Sequence, residues 1–196
     1  MTLHDGALQF LNLLALAAGV AYAVLAARRN RLCWIAGAVG SACAAVLSAV
    51  GKLPMQSALQ VFYVGMAAYG WWCWTRGSPG GELAVGHWPL HRHLLAGVLL
   101  VLASAGMARW LRSGDLAAWP LLDSLTTCFS LLATWLAARA RLENWLYWIV
   151  INAAMVYLFY VQQVWGMALL SVLLMGIAVG GFIAWRRRLV VQGLPA

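Results

Sequence analysis

Charged side chains are scarce. Thirteen Lys and Arg and five Asp and Glu make up 9% of the 196 residues, where an ordinary soluble domain carries about 25%. That is too little charge to coat a water-facing surface, and too little chain remains between the apolar runs to build a separate soluble domain. Several chemistries lack their motifs. There are no paired carboxylates, no His-Glu-x-x-His and no Ser/His/Asp set, and no Gly-Lys-Ser/Thr follows Gly77, Gly80 and Gly81 to make a phosphate loop. No cofactor is implied. Cys33, Cys43, Cys73 and Cys128 form no Cys-x-x-Cys pair and all fall inside apolar runs, where a thiol acts as a small packing group. The formal net charge is +8, but the basic residues occur in short clusters between apolar runs and no nucleic-acid recognition motif accompanies them. Nucleic acid is therefore excluded as a partner, and membrane lipid is implied.

Apolar residues are abundant. They form 64% of the chain, and the mean hydropathy is +0.82. They gather into seven runs, at about 6–27, 32–50, 54–74, 93–111, 118–138, 144–162 and 165–185. Each is close to the ~20 residues that a helix needs to cross a ~30 Å hydrocarbon core. The sequence thus predicts an all-α integral membrane protein, a single membrane domain of seven transmembrane helices. Met1 to Asp5 contains no basic stretch and the first run is long enough to span, so it reads as a retained helix and not as a cleaved signal. The connections are short except for 75–92, which carries Gly77, Pro79, Gly80 and Gly81 and reads as a flexible loop.

The basic residues orient the chain. Arg28, Arg29, Arg31, Arg76, Arg92, Arg139, Arg141, Arg186, Arg187 and Arg188 follow the odd-numbered helices, whereas Lys52, Arg109 and Arg112 follow the even ones. The richer side is the cytoplasmic one by the positive-inside rule, which places the N-terminus outside and the C-terminus inside.

An internal repeat is visible. Asn30-Arg31-Leu32-Cys33-Trp34 opens the second helix and Asn144-Trp145-Leu146-Tyr147-Trp148 the sixth. Gly70-x-x-x-Trp74 closes the third and Gly181-x-x-x-Trp185 the seventh. The two offsets are 114 and 111, which implies a three-residue indel and makes Trp34 the partner of Trp148, with Ala38 in the place of Asn152. Repeat one then covers about 6–74, a linker helix about 93–111 and repeat two about 118–185. An odd unit followed by one spacer helix makes the copies parallel, a plan in which transporters keep their site near the midplane between repeats.

Trp145, Trp148 and Asn152 fall at i, i+3 and i+7 and share one face of helix six. Two indoles and a carboxamide can stack on a flat or cationic ring and read its polar edge. The plainer reading is an interfacial tryptophan belt and a packing asparagine. The depth of Asn152, where an unpaired amide is costly, favours the pocket. Gln56, Gln60 and Tyr63 form a second stripe on helix three, as interhelical glue or as cavity lining. Asp123, Thr126, Thr127 and Ser130 lie on helix five. Asp123 is the one acidic residue within a span, a helix cap or a cation-attracting group. His87, His91 and His93 lack a Cys or carboxylate to complete a metal set and read as a solvated loop.

With these residues assembled, the chain resembles the Pnu-type bacterial vitamin transporters, and among them the nicotinamide riboside (PnuC) branch. The resemblance rests on Gln60-x-x-Tyr63 and Tyr69-Gly70-Trp71-x-x-Trp74, on Leu122-Asp123-Ser124-Leu125-Thr126-Thr127 with Ser130, and above all on Trp145-x-x-Trp148-x-x-x-Asn152. It implies a SWEET-like 3+1+3 fold and a homotrimer in the bacterial inner membrane. It also implies facilitated diffusion of a vitamin that a cytosolic kinase then traps. The substrate contacts it implies are Trp145, Trp148 and Asn152, with Gln60, Tyr63, Trp34, Thr127 and Asp123 as further candidates. Nicotinamide riboside is the expected substrate. Thiamine or riboflavin, carried by sister branches, is the alternative. A membrane enzyme or a structural bundle fits less well: the first lacks an acid/base pair, and the second leaves the repeat and Asn152 without a purpose.

Overall fold

The structure is a computed structural model that describes residues 3–51, 54–76, 83–114 and 119–191. Lys52, the Gly77–Gly81 stretch, residue 118 and the first two residues, all invoked above, lie outside the described residues. Among the described residues seven helices follow one another: α1 (Leu3–Ala27), α2 (Cys33–Val50), α3 (Pro54–Arg76), α4 (Leu90–Ser113), α5 (Pro120–Ala138), α6 (Asn144–Val161) and α7 (Trp165–Val191). Six are long and apolar enough to cross a membrane. The remaining one, α3, has 23 residues and so reaches about 34 Å at 1.5 Å per residue, but it carries Gln56, Gln60, Thr75 and Arg76. The largest departure from the expected boundaries is in α7, which continues through Arg186, Arg187 and Arg188 to Val191. Arginine is a good helix former, and its long stem lets the charge reach water from a helix end.

The chain divides into two compact units, Met1–Ala84 and Val85–Ala196. In the first, α2 packs against both α1 and α3. Trp34 is 2% exposed and meets Trp74 edge-on, ring centroids 5.5 Å apart at 88°, with Tyr22 on its other side at 5.6 Å and 65°. Gly70 makes room for this indole, because a Cβ there would overlap the Trp34 ring. In the second unit, α5 packs against α4 and α6, and α7 packs against α6. Trp145 is 4% exposed and meets Trp185 at 5.4 Å and 89°, with Gly181 beneath it.

These likenesses share one offset of 111 residues, which corrects the repeat register read from the sequence. Helix α1 ends at 27 and α5 at 138, α2 spans 33–50 and α6 spans 144–161, and α3 and α7 begin at 54 and 165. The turns agree as well. Arg29 (φ 62°) and Ala140 (φ 52°) are the left-handed residues that end α1 and α5. Each is closed by a Schellman pair: Asn30 N–H to Leu25 O at 2.9 Å and Arg29 N–H to Ala26 O at 3.0 Å, then Arg141 N–H to Leu136 O at 2.8 Å and Ala140 N–H to Ala137 O at 3.0 Å. No indel separates the copies. Trp34 corresponds to Trp145, not to Trp148. Gly37 stands in the place of Trp148 and Ser41 in the place of Asn152.

The expected flexible loop is also corrected in its second half. Residues 83–89 form an extended strap on the α5–α6 turn. Gly86 N–H donates to Ala140 O, and Leu142 N–H donates to Gly86 O, both at 3.0 Å.

Candidate substrate-binding site

Helix α6 presents two faces. On one, Trp148 is half-buried and Asn152 is 8% exposed. The Asn152 amide donates to the Trp148 carbonyl at 2.7 Å, which fixes the carboxamide against its own helix and leaves its oxygen free of any described residue. Trp145 shares this face by periodicity, but its ring is committed to Trp185 and Gly181. Trp34 is committed in the same way to Trp74 and Gly70. Neither indole N–H has a hydrogen-bonding partner among the described residues. The two expected tryptophan contacts Trp34 and Trp145 are thus packed within their own units, and Trp148 is the half-buried indole that makes no ring contact with a described residue.

On α5 most hydroxyls are satisfied by the helix itself. Ser124 donates to Pro120 O at 2.7 Å, Thr126 to Leu122 O at 2.9 Å, Ser130 to Thr127 O at 2.8 Å and Thr134 to Ser130 O at 2.8 Å. Such back-bonding removes the cost of a hydroxyl in an apolar medium. Asp123 and Thr127, one turn apart and half-buried, make no side-chain hydrogen bond to a described residue. In the first unit, Gln60 and Tyr63 are half-buried on α3 and Gln56 is exposed. Tyr63 lies beside Phe62, ring centroids 6.0 Å apart.

The other face of α6 holds a cluster that the sequence reading missed. Glu143 accepts from Trp88 N–H at 2.9 Å and lies 3.0 Å from His87 Nδ1. His93 Nδ1 lies 3.0 Å from the Tyr147 hydroxyl. His93 is therefore held in place and largely buried, contrary to the solvated loop expected of it, whereas His87 pairs with Glu143 yet stays exposed, as does His91. No sequence signal could have exposed these pairs, because the partners lie 54 to 56 residues apart. The cluster closes one end of a cavity of about 660 Å³ between α4, α5 and α6. None of the anticipated substrate residues lines it.

A family model described as nicotinamide mononucleotide transporter matches residues 9–187. The chain belongs to that family. Two curated members are similar to it, the nicotinamide riboside transporter PnuC of Escherichia coli K12 and that of Shigella flexneri. Each is 26% identical over 153 residues, 65% of this chain and 64% of the relative. The match thus spans somewhat less than two thirds of their length. The crystal structure of the vitamin B3 transporter PnuC superposes with a TM-score of 0.73, at 22% identity, over 93% of this chain and 83% of that one. That likeness establishes the fold: this member of the nicotinamide mononucleotide transporter family is a multi-pass helical membrane protein.

Proposed function

We propose that the protein takes up nicotinamide riboside by facilitated diffusion. The observation that carries this reading, beside family membership, is the half-buried Trp148 next to the oriented amide of Asn152. An indole face attracts a cationic pyridinium ring, and the free carboxamide oxygen can accept from a carboxamide or ribose hydroxyl. The choice of riboside over mononucleotide follows from charge. A phosphate needs cationic partners, yet every Lys and Arg lies at or beyond a helix end or within two turns of one. The charged group available on α5 is Asp123, an acid. The relatives named as nicotinamide riboside transporters agree with this choice.

In the full reading, Asp123, Thr127, Gln60 and Tyr63 are further substrate contacts. The protein works as a homotrimer in the bacterial inner membrane, with the N-terminus outside and the C-terminus in the cytoplasm. A cytosolic kinase traps the vitamin after entry. One titration of the purified protein with nicotinamide riboside, nicotinamide mononucleotide, thiamine and riboflavin tests the substrate. The riboside should bind tightest. Tighter binding of thiamine would move the protein to a sister branch, and tighter binding of the mononucleotide would overturn the charge argument.

A further inference from the structure

The first unit carries its own version of the face that holds Trp148 and Asn152. At the offset of 111 residues, Trp34, Gly37 and Ser41 of α2 stand where Trp145, Trp148 and Asn152 stand on α6, with the same i, i+3, i+7 spacing. The aromatic ring missing at Gly37 is supplied by the neighbouring helix. Tyr22 of α1 lies so close that a Cβ on Gly37 would be 3.0 Å from its Cδ2, and its ring meets Trp34 edge-on at 5.6 Å. The counterpart of Tyr22 on α5 is Ala133, which is fully buried. Large and small residues have therefore changed places: Ala133 and Trp148 in the second unit, Tyr22 and Gly37 in the first. The swap keeps a ring on this face and adds a phenol hydroxyl, which an indole lacks.

Tyr22 and Ser41 are both half-buried, and neither hydroxyl bonds to a described residue. A serine inside a spanning helix ordinarily bonds back to a carbonyl one turn earlier, as Ser124, Ser130 and Ser171 do. Ser41 does not. Neither oxygen is among the sealed polar atoms that lack a partner, so each keeps surface that a ligand can reach. Tyr63 of α3 is near enough to Tyr22 for the two phenols to interact electrostatically. Tyr22 thus has a polar neighbour on α3 and, one turn along α2 from Gly37, Ser41. A lipid-facing wall has no use for unsatisfied hydroxyls, because each is costly in hydrocarbon. Phenol and alcohol hydroxyls each donate and accept, and neither is charged. Such a pair suits neutral hydroxyl groups, whereas an ammonium or a phosphate calls for opposite charge. In nicotinamide riboside the neutral hydroxyls are those of the ribose.

We propose that Tyr22 and Ser41 are substrate contacts that read the ribose hydroxyls, and that Tyr22 is a specificity-determining residue. The inference rests on the transport reading above and adds which part of the substrate the first unit recognises.

The test is calorimetric titration of the purified full-length protein with nicotinamide riboside and with its 2′,3′-dideoxy analogue. The wild-type protein should bind the riboside more tightly. Tyr22→Phe keeps the ring that packs on Gly37 and Trp34 and removes the hydroxyl. Ser41→Ala removes the other hydroxyl and suits a helix better than serine. Each variant should weaken riboside binding by roughly three- to tenfold, the scale of one neutral hydrogen bond. Each should leave affinity for the analogue and the melting midpoint unchanged. Trp148→Ala should weaken both ligands alike, since both carry the pyridinium ring. Normal riboside binding by both hydroxyl variants would overturn the proposal and leave the transport reading intact. Equal losses for riboside and analogue would overturn it as well, because the hydroxyls would then act through the fold or on another part of the substrate. A wild-type protein that bound no riboside would sink the transport reading, and this inference with it.

Discussion

Trp145 stands edge-on to Trp185, ring centroids 5.4 Å apart at 89°, and Trp34 repeats the relation with Trp74, 111 residues earlier, at 5.5 Å and 88°. Edge-to-face is the geometry that the aromatic quadrupole prefers, and in each copy a glycine one turn before the second tryptophan admits the first. The pair recurs in each three-helix repeat. It locks the start of the second helix to the end of the third, next to a Schellman turn that fixes where the first helix stops.

The lock predicts the cost of a single methyl group. Ala in place of Gly within a helix ordinarily gains about 1 kcal/mol. At Gly181 the new Cβ would lie 2.7 Å from the Trp145 ring, and at Gly70 it would press harder on Trp34. Neither ring can retreat, since both are almost fully buried. Overpacking of this kind costs about 1–3 kcal/mol, so the clash wins. Gly70→Ala and Gly181→Ala should both lower the thermal midpoint in detergent, Gly70→Ala more. Adding Trp34→Phe to Gly70→Ala should recover part of the loss. An unchanged midpoint in both variants would contradict the packing described.

The tryptophans of α6 should separate by what they affect. Trp145→Ala empties a buried site and should reduce stability by about 3–5 kcal/mol, the usual loss for a buried Trp or Phe. Trp148→Ala should leave the fold intact and weaken riboside binding by about 1–3 kcal/mol. Asn152→Ala should cost about one hydrogen bond, 0.5–1.5 kcal/mol. Melting curves and calorimetric titration on the same preparations distinguish these outcomes. Normal binding by folded Trp148→Ala and Asn152→Ala would place the pocket elsewhere.

The helices were legible because the bilayer imposes a length, and seven apolar runs near twenty residues leave little choice. The repeat was legible, but its register was not, because Asn30 and Asn144 drew the eye to a false match. Asn30 closes a turn, whereas Asn144 sits one position before Trp145 and is buried, the counterpart of Cys33. The lock itself was in the sequence: 36 residues separate Trp34 from Gly70, and the same number separate Trp145 from Gly181. A stripe on a helix can also be read without knowing which of its members a neighbour consumes. Trp145 and Trp148 look alike in sequence, and only the packing of α7 tells them apart. The cluster on Glu143 was invisible for a simpler reason, since an extended strap brings residues 86–88 to the α5–α6 turn and periodicity says nothing about straps.

Topology can be checked directly. Ten basic residues follow the odd helices and three follow the even ones, so the α1–α2 turn, the α5–α6 turn and the end of α7 should be cytoplasmic. Single cysteines introduced at Arg187 and at Gln163, in a background lacking the four buried native thiols, should differ in intact cells. An impermeant maleimide should label the Gln163 position, at the α6–α7 turn, and should reach the Arg187 position only after the membrane is opened. Labelling at Arg187 from outside would reverse the orientation.

The mode of transport follows from what the spans hold. Coupling to protons requires a titratable group that faces the substrate path. Asp123 is the acidic residue within a span, and it sits near the span's end, in the first turn of α5. Glu143 and His93 lie at the ends of α6 and α4, on the cavity side, away from Trp148 and Asn152. Coupling to sodium in this style of transporter uses broken helices whose unwound carbonyls hold the ion, and each of the seven helices runs without interruption among the described residues. The prediction is uniport. In liposomes without an ion gradient or potential, uptake of the riboside should level off when the lumen equals the bath. An inside-negative potential should then raise the plateau, because the substrate carries one positive charge and each 100 mV is worth about 2.3 kcal/mol. Asp123→Asn should leave both plateaus in place and change only the rate of approach. Accumulation above equilibrium at zero potential, driven by a proton or sodium gradient, would refute uniport. If Asp123→Asn then abolished that accumulation, Asp123 would be the coupling residue.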